Sequence, residues 1–236
     1  MNSFCSTIIK QCKKYISLLV IVPFAACGQQ TPQVSHAKAF DEMMQAKKDN
    51  TVSNDKMNNK RDTATFAAGC FWCVEAQFKE LKGVEKVVSG FTGGTVPHPS
   101  YEDVCTGTTG HAEACNIIYD PTVISYDALL AAFFVAHDPT QLNRQGNDVG
   151  TQYRSAIFYH NEEQKKLSEY YISKLNEEKA YPDPIVTQVQ PFTVFYKAEN
   201  YHQDYYARNG NVPYCHLVIK PKVDKFEKVF KDKLKQ

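Results

Sequence analysis

Short apolar segments alternate with polar turns from about residue 63 onward, and this pattern predicts a succession of strands and helices. Residues 63–68 are typical of a short buried strand, Gly69 of a tight turn, and residues 70–81 of a helix with its apolar side chains on one side. Further strands are predicted at residues 84–91, 115–119, 155–159 and 185–189.

Helices are predicted between these strands and at the C-terminus. Ser125 caps one helix, and Asn161 forms a capping pair with Gln164 at the start of another. Apolar residues with helical spacing then run from Val223 to Leu234. Strands and helices interleaved in this way predict an α+β or α/β domain, a two-layer sandwich with a central mixed sheet, flanking helices and a ferredoxin-like core.

Two long loops rich in Gly, Pro, His and Asp connect the predicted elements. They cover residues 93–113 and 137–154. Ordered loops of this length inside a compact domain often carry functional residues, so both are expected to contribute to an active site.

The N-terminal residues have the composition of an export signal. Lys10, Lys13 and Lys14 precede an apolar run at residues 15–24, which is shorter than the roughly 20 residues that cross a bilayer. The run ends in Phe-Ala-Ala-Cys, which resembles a bacterial lipoprotein box with Phe in place of the usual Leu. The pattern therefore predicts that Cys27 carries a lipid; ordinary signal cleavage or an uncleaved anchor is the alternative.

Three segments follow from this reading. Residues 1–26 are the predicted signal peptide, and residues 27–62, rich in Gln, Asn, Lys, Asp and Ser, are typical of a flexible tether. Residues 63–236 form the predicted folded domain. A lipid anchor on an exported chain predicts a location in the cell envelope, facing the periplasm or another extracytoplasmic space.

The charges of the chain nearly cancel, since 27 Lys and Arg residues stand against 26 Asp and Glu residues. Without a basic surface, no nucleic-acid partner is expected. The membrane is expected to be contacted through the lipid anchor only.

Five cysteines lie in the predicted folded domain: Cys70, Cys73, Cys105, Cys115 and Cys215. An odd number does not suit a purely structural disulfide framework in an oxidising compartment, so some of these thiols are expected to be reactive. Cys70 stands at the start of a predicted helix, where unpaired N–H groups and the helix dipole favour a thiolate. Cys73 follows one helical turn later, where it can form a disulfide with an oxidised Cys70.

A Cys-x-x-Cys pair also occurs in other classes of protein. Structural zinc needs four ligands, and the sequence has no second pair to complete a site, while haem attachment needs His where Val74 stands. Two alternatives stay open on the spacing alone. One is a thioredoxin-like disulfide oxidoreductase, and the other is a non-enzymatic lipoprotein in which the two thiols are a static staple and exposed aromatic residues bind peptides or envelope polymers.

The segment Gly-Cys-Phe-Trp-Cys-Val-Glu at residues 69–75 resembles the active-site segment of type A peptide-methionine sulfoxide reductases. Further segments similar to that family follow in its order, at residues 90–94, 99–107, 110–113, 137–140, 144–155, 201–206 and 213–215. Several motifs in register are far more specific than one alone.

The resemblance implies a set of catalytic residues. Cys70 is implied to attack the sulfur of methionine sulfoxide, and Glu113 to protonate its oxygen, for which its carboxyl must stay neutral through desolvation. Tyr101 and Tyr153 match tyrosines that donate hydrogen bonds to that oxygen. Asp148 matches a carboxylate that orders a water molecule or the polar network of the pocket.

The same resemblance implies a substrate wall and two resolving thiols. Phe71 and Trp72 are implied to hold the S-methyl group of the substrate. Cys73 and Cys215 are the candidates that convert an oxidised Cys70 to a disulfide. Proximity favours Cys73 as the first resolver, with Cys215 passing the disulfide outward.

The remaining expectations concern spectators and partners. Cys105 and Cys115 are expected to be buried bystanders, and His111 and His202 to be structural. The resemblance implies no metal and no redox cofactor, with reducing equivalents from a thioredoxin-like protein or dithiothreitol. The implied substrates are oxidised proteins and free methionine sulfoxide in the S epimer, and a monomer is expected.

Overall fold

The computed structural model describes residues 61–236. The predicted signal peptide, the lipidation site Cys27 and nearly all of the predicted tether lie outside the described residues. Across residues 61–236, no helix has the length and apolar character needed to cross a membrane.

A six-stranded sheet forms the centre of the domain. The strands of the chain are β1 (Asp62–Ala68), β2 (Val84–Thr92), β3 (Ala112–Tyr119), β4 (Arg144–Gln145), β5 (Asp148–Val149), β6 (Ser155–Tyr159), β7 (Gln188–Pro191) and β8 (Phe195–Lys197). The sheet order is β7-β6-β1-β3-β2-β8, and β4 and β5 form a separate hairpin. All neighbours in the sheet are antiparallel except β6 and β7, so the sheet is mixed.

Helices connect and cover the strands. They are α1 (Phe71–Phe78), α2 (Tyr101–Cys105), α3 (Tyr126–Ala136), α4 (Glu162–Glu177), α5 (Tyr205–Asn209) and α6 (Lys220–Val229), and a π-helical turn, Cys215–Ile219, directly precedes α6. The sequence β1-α1-β2-β3-α3-β6 with its central strand order β6-β1-β3-β2 is the ferredoxin-like arrangement. The predicted fold class is therefore confirmed.

The main core lies between the sheet and the helices that pack on it. Phe66 of β1 is fully buried, with its ring centroid 5.0 Å from that of Phe133 and 5.8 Å from that of Phe78. The opposite face of the central strands carries small side chains, among them Ala67, Ala114 and Ala156.

Local capping signals are largely correct. The side chain of Ser125 accepts a hydrogen bond from the backbone N–H of Ala128, and that of Asn161 accepts one from the N–H of Gln164. The reciprocal bond of the Asn161–Gln164 pair is absent, because the Gln164 side chain accepts instead from the N–H of His160.

Several predicted boundaries are wrong by a few residues. The first helix begins at Phe71, since Cys70 has a non-helical ψ of 121° and acts as the N-cap, and it ends at Phe78 before the chain turns at Gly83. The predicted strand at 185–189 begins only at Gln188, because the preceding segment pairs with a loop: the N–H of Val186 donates to the carbonyl of Pro139.

Candidate active site

A glycine turn at the end of β1 positions the first cysteine. Gly69 has φ of +85°, and a Cβ at this position would lie 2.6 Å from the Cβ of Gln145. Only glycine accommodates both the left-handed backbone and this close approach. The carbonyl of Cys70 then accepts hydrogen bonds from the N–H groups of Cys73 and Val74. Cys70 is thereby fixed at the N-terminus of α1, beside the β4–β5 hairpin that carries Gln145.

Side chains from five separate segments meet around a cavity of about 170 Å³. The lining residues are Cys70, Phe71, Trp72, Tyr101, Glu113, Asp148, Tyr153 and Tyr214. Cavities for drug-sized ligands measure about 300–1,000 Å³, so this one has the size for a single side chain. The structure thus brings together all seven of the residues predicted for the reacting centre and the substrate wall.

Glu113 is the buried acid of this pocket. It lies on β3 with only 2 % of its surface exposed, and its Oε2 accepts a hydrogen bond from the N–H of Phe71 at 3.0 Å. Burial raises the pKa of the Glu113 carboxyl well above its usual value, and the nearby Cys70 raises it further. The raised pKa favours the protonated carboxylic acid, which is the form that can donate a proton.

The ionisation of the Cys70 thiol differs from the sequence prediction. The thiol is 5 % exposed, and burial raises the pKa of Cys70 well above its usual value, so the prediction of a thiolate from the helix dipole is wrong. Desolvation of a buried thiolate outweighs the stabilisation by the helix N-terminus. The Cys70 thiol hydrogen-bonds the sulfur of Cys73, and this bond lowers the pKa of Cys73.

Two predicted tyrosines supply neutral hydroxyl groups to the pocket. Burial raises the pKa of Tyr101 and of Tyr153, and the carboxyl of Glu113 raises both further. Phenols with raised pKa values stay protonated across the physiological range and can donate hydrogen bonds without carrying charge.

Tyr214 is a pocket residue that the sequence analysis missed. Its hydroxyl donates to Oδ2 of Asp148 at 3.0 Å and also reaches the thiol of Cys70. The only available signal was its place beside Cys215 in the family segment at residues 213–215. Tyr214 links Asp148 to the reacting sulfur, a contact that depends on tertiary structure.

Aromatic rings form the wall of the site. The ring of Trp72 stacks on that of Tyr205 with centroids 3.7 Å apart and 9° between the planes. His202 is 1 % exposed, and its ring lies 4.3 Å from that of Tyr101. Burial lowers the pKa of His202, and it does not line the cavity. His111, just before β3, is likewise buried. Its Nδ1 accepts a hydrogen bond from the N–H of Gly94, and its Nε2 bonds the carbonyl of Val96, so it links the start of β3 to the loop after β2.

The two candidate resolving thiols lie behind the pocket. Cys73 and Cys215 are buried in one apolar cluster with Cys70, and all the described cysteines are free thiols. Cys215 opens the π-helical turn before α6.

Cys115 is buried, as expected, and its thiol donates to the carbonyl of Phe71. Cys105 is exposed at the end of the short surface helix α2, so the prediction that it is buried is wrong.

No group of three or more His, Cys, Asp or Glu side chains suited to a metal occurs within residues 61–236. The site instead combines a buried thiol, a buried carboxyl whose pKa is raised and two phenol hydroxyls around a cavity for one side chain. That combination defines a thiol-dependent reductase or transferase site, in which sulfur attacks a substrate whose leaving atom is protonated.

Comparison with known proteins identifies the family. The model of the family described as peptide methionine sulfoxide reductase matches residues 62–234, so this chain belongs to that family. The peptide methionine sulfoxide reductase MsrA of Saccharolobus solfataricus is 57% identical over 174 residues, covering 74% of this chain and 97% of the relative. A relative of the same name from Thermus thermophilus is 56% identical over 174 residues, covering 74% and 98%.

Solved structures agree with the assignment. Methionine sulfoxide reductase A of Corynebacterium diphtheriae superposes with a TM-score of 0.59 at 37% identity, covering 66% of this chain and 80% of that one. Mxr1 of Saccharomyces cerevisiae in reduced form superposes with a TM-score of 0.62 at 33% identity, covering 68% and 92%. Family membership sets aside the disulfide oxidoreductase and the non-enzymatic lipoprotein as alternatives.

The raised pKa of Glu113 predicts a specific pH dependence of stability. A buried carboxyl whose pKa is raised on folding loses stability for the folded state as pH increases above the unfolded value of about 4.3. Glu113→Gln keeps an oxygen to accept from the Phe71 N–H but removes the titration. We expect the variant to gain stability relative to wild type as pH rises from about 4 to about 8, measured by urea unfolding.

The control is Glu162→Gln, because Glu162 is an exposed residue of α4 and its replacement leaves the buried carboxyl in place. A difference between Glu113→Gln and wild type that stays constant with pH would show that the Glu113 carboxyl is not held neutral.

Proposed function

We propose that this protein reduces the S epimer of methionine sulfoxide, free and in proteins, with Cys70 as the nucleophile. The observation that supports this most directly is the meeting of the Cys70 thiol, the Glu113 carboxyl and the Tyr101 and Tyr153 hydroxyls around one side-chain-sized cavity. The printed names of the relatives describe the same activity on peptide methionine sulfoxide.

The first step transfers oxygen from the substrate to the enzyme. A sulfoxide oxygen is a poor leaving atom because it would depart as a strongly basic anion. Glu113 protonates it, and the hydroxyls of Tyr101 and Tyr153 donate hydrogen bonds to it as charge develops. The sulfur of Cys70 attacks the substrate sulfur, and the thiol proton is recovered on the oxygen in the net reaction. Methionine leaves, and Cys70 is oxidised to the sulfenic acid.

Substrate orientation comes from the remaining pocket residues. The rings of Phe71 and Trp72 hold the S-methyl group against an apolar wall. Asp148, hydrogen-bonded to Tyr214, orders the polar side of the pocket. An apolar wall on one side and proton donors on the other can distinguish the two epimers at sulfur, because only one of them directs its oxygen to the donors.

The second step regenerates the thiol. Cys73 attacks the sulfenic acid of Cys70, and Cys215 then accepts the disulfide and passes it to a thioredoxin-like protein. Dithiothreitol replaces this partner in vitro. No redox cofactor takes part, since thiol–disulfide exchange carries both electrons.

We further propose that the protein is a lipid-anchored monomer of the cell envelope that repairs oxidised envelope proteins. Residues 1–26 are the signal peptide, residues 27–62 the tether that begins at the lipidated Cys27, and residues 63–236 the catalytic domain. The supporting features are the basic and apolar leader and the Phe-Ala-Ala-Cys segment. The reducing partner is then a thioredoxin-like domain that faces the same compartment.

Turnover of separated epimers tests the proposed reaction. We expect the protein with dithiothreitol to convert the S epimer of a peptide methionine sulfoxide to methionine and to leave the R epimer unchanged, as measured by chromatography. Cys70→Ser should reduce the rate to background, because a hydroxyl is a far weaker nucleophile than a thiol at neutral pH. Failure of the wild type to reduce either epimer would overturn the function while leaving the family assignment intact.

Removal of the pocket hydroxyls should lower the rate of the chemical step. Losing a donor to developing negative charge costs about 10²–10³-fold in kcat, and two tyrosines that share the oxygen should each show part of this loss. We expect Tyr101→Phe and Tyr153→Phe each to lower kcat for the S epimer by about tenfold or more, and the double variant by about 10²–10³-fold. Tyr201→Phe is the control, because Tyr201 is 53% exposed and lies outside the cavity lining. Full activity of the double variant would contradict the proposed roles.

Mass spectrometry of the mature N-terminus tests the anchor. We expect a chain that begins at Cys27 with a lipid on its thiol, and Cys27→Ala should prevent both lipidation and cleavage at this position. A mature chain with an unmodified Cys27, or one that still starts at Met1, would overturn the lipoprotein proposal without affecting the enzymatic one.

A further inference from the structure

A lysine lies against the second cysteine of the active-site segment. Nζ of Lys222, in the first turn of α6, is 3.8 Å from Sγ of Cys73. The Cys73 side chain is 2 % exposed, and Lys222 is half-buried. Gln77, buried on α1 four residues after Cys73, donates from Nε2 to the carbonyl of Lys222. The start of α6 is therefore tied to the helix that carries Cys73.

The charge of Lys222 is directed at sulfur and not at a carboxylate. Among the ion pairs found within residues 61–236, none includes Lys222, whereas neighbouring Lys220 is exposed and bonds Asp224 with its ammonium group. The titratable and charged groups around Cys73 are Cys70 in the turn before α1, Asp148 on β5, Tyr214 and Cys215 at the start of the π-helical turn, and Lys222 on α6. Lys222 is the cation of this set.

We propose that Lys222, whose ammonium group lies against the sulfur of Cys73, is a positioning residue that stabilises the Cys73 thiolate and so makes Cys73 the attacking thiol of the resolution step. This rests on the proposed function, in which Cys70 has become a sulfenic acid. The Cys73 sulfur forms the S–S bond to Cys70 while the S–O bond breaks, and the departing hydroxide takes a proton from solvent to leave as water. The oxidant that this disulfide requires is the methionine sulfoxide, which oxidised Cys70 in the first step.

The same contact accounts for the order of the two resolvers. In the reduced protein the hydrogen bond from the Cys70 thiol lowers the pKa of Cys73. Once Cys70 is a sulfenic acid, the charge of Lys222 remains to lower this pKa against the effect of burial. Burial and the nearby Cys70 instead raise the pKa of Cys215. Since the thiolate is the attacking species, Cys73 is favoured over Cys215 as the first attacker.

Single-turnover kinetics of the full chain test this assignment. The background variant is Cys215→Ala, in which Cys73 is the sole resolver, and the comparison is between this variant and the same protein with Lys222→Met. One equivalent of a peptide methionine S-sulfoxide is added without reductant. Methionine is measured by chromatography, and the Cys70–Cys73 disulfide by acid quench, alkylation and mass spectrometry over a range of pH.

The expected result is a crossing of the two pH profiles of disulfide formation. For each unit by which the pKa of Cys73 rises, the thiolate fraction at low pH falls tenfold, while intrinsic nucleophilicity rises about threefold. For a rise of one unit in the pKa of Cys73, Lys222→Met should form the disulfide about threefold more slowly at pH values below the Cys73 pKa of both proteins. Above the Cys73 pKa of both proteins, it should form the disulfide about threefold faster. Lys222→Arg should restore the original profile, and Lys220→Met, on the same segment, should leave it unchanged.

The outcomes distinguish failure of the proposed function from failure of the role assigned to Lys222. If no methionine forms even with Lys222 present, the proposed function fails. If methionine forms but the profile of disulfide formation is the same in Lys222→Met, or is slowed by one constant factor at every pH, Lys222 is only a packing residue and the inference is overturned.

Discussion

Burial of the Glu113 carboxyl is the condition on which the rest of the site depends. Its carboxyl is 2 % exposed, and burial raises its pKa by more than the hydrogen bond from the N–H of Phe71 lowers it. A carboxylate in the same place could not protonate an oxygen. Partial burial raises the pKa of the Tyr101 and Tyr153 hydroxyls in the same pocket, so several proton donors face one atom.

The fold creates this pocket by bringing distant segments to one place. β3 runs through the middle of the sheet and carries Glu113, while the glycine turn after β1 directs Cys70 and the aromatic wall of α1 toward it. Burial also makes the nucleophile less reactive, since it raises the pKa of Cys70. A substrate in the cavity would accept hydrogen bonds from Glu113, Tyr101 and Tyr153. Its binding would therefore change the surroundings of the Cys70 thiol just before the reaction.

Local sequence signals predicted what depends on local structure. The caps at Ser125 and Asn161, the strand at residues 155–159 and the glycine turn before Cys70 all follow from neighbouring residues. The ionisation of Cys70 was predicted wrongly because the helix dipole is a local effect, whereas burial arises from packing of remote segments.

The contacts made by the C-terminal segment show the same limit. Tyr214 reaches Asp148 across 66 residues of sequence, and Lys222 reaches Cys73 across 149. Neither contact has a signature in spacing or periodicity. Family resemblance supplied the motif that contains Tyr214, but residue roles within the motif required the three-dimensional arrangement.

The central claim is that the oxygen of the substrate passes to Cys70, and isotopic labelling tests it most directly. The protein with both Cys73→Ala and Cys215→Ala would be mixed with one equivalent of peptide methionine S-sulfoxide that carries heavy oxygen, quenched with acid and analysed by mass spectrometry. We predict one heavy oxygen on Cys70 as the sulfenic acid for each methionine formed. Methionine formed without label on Cys70, or with the label on another cysteine, would contradict the account.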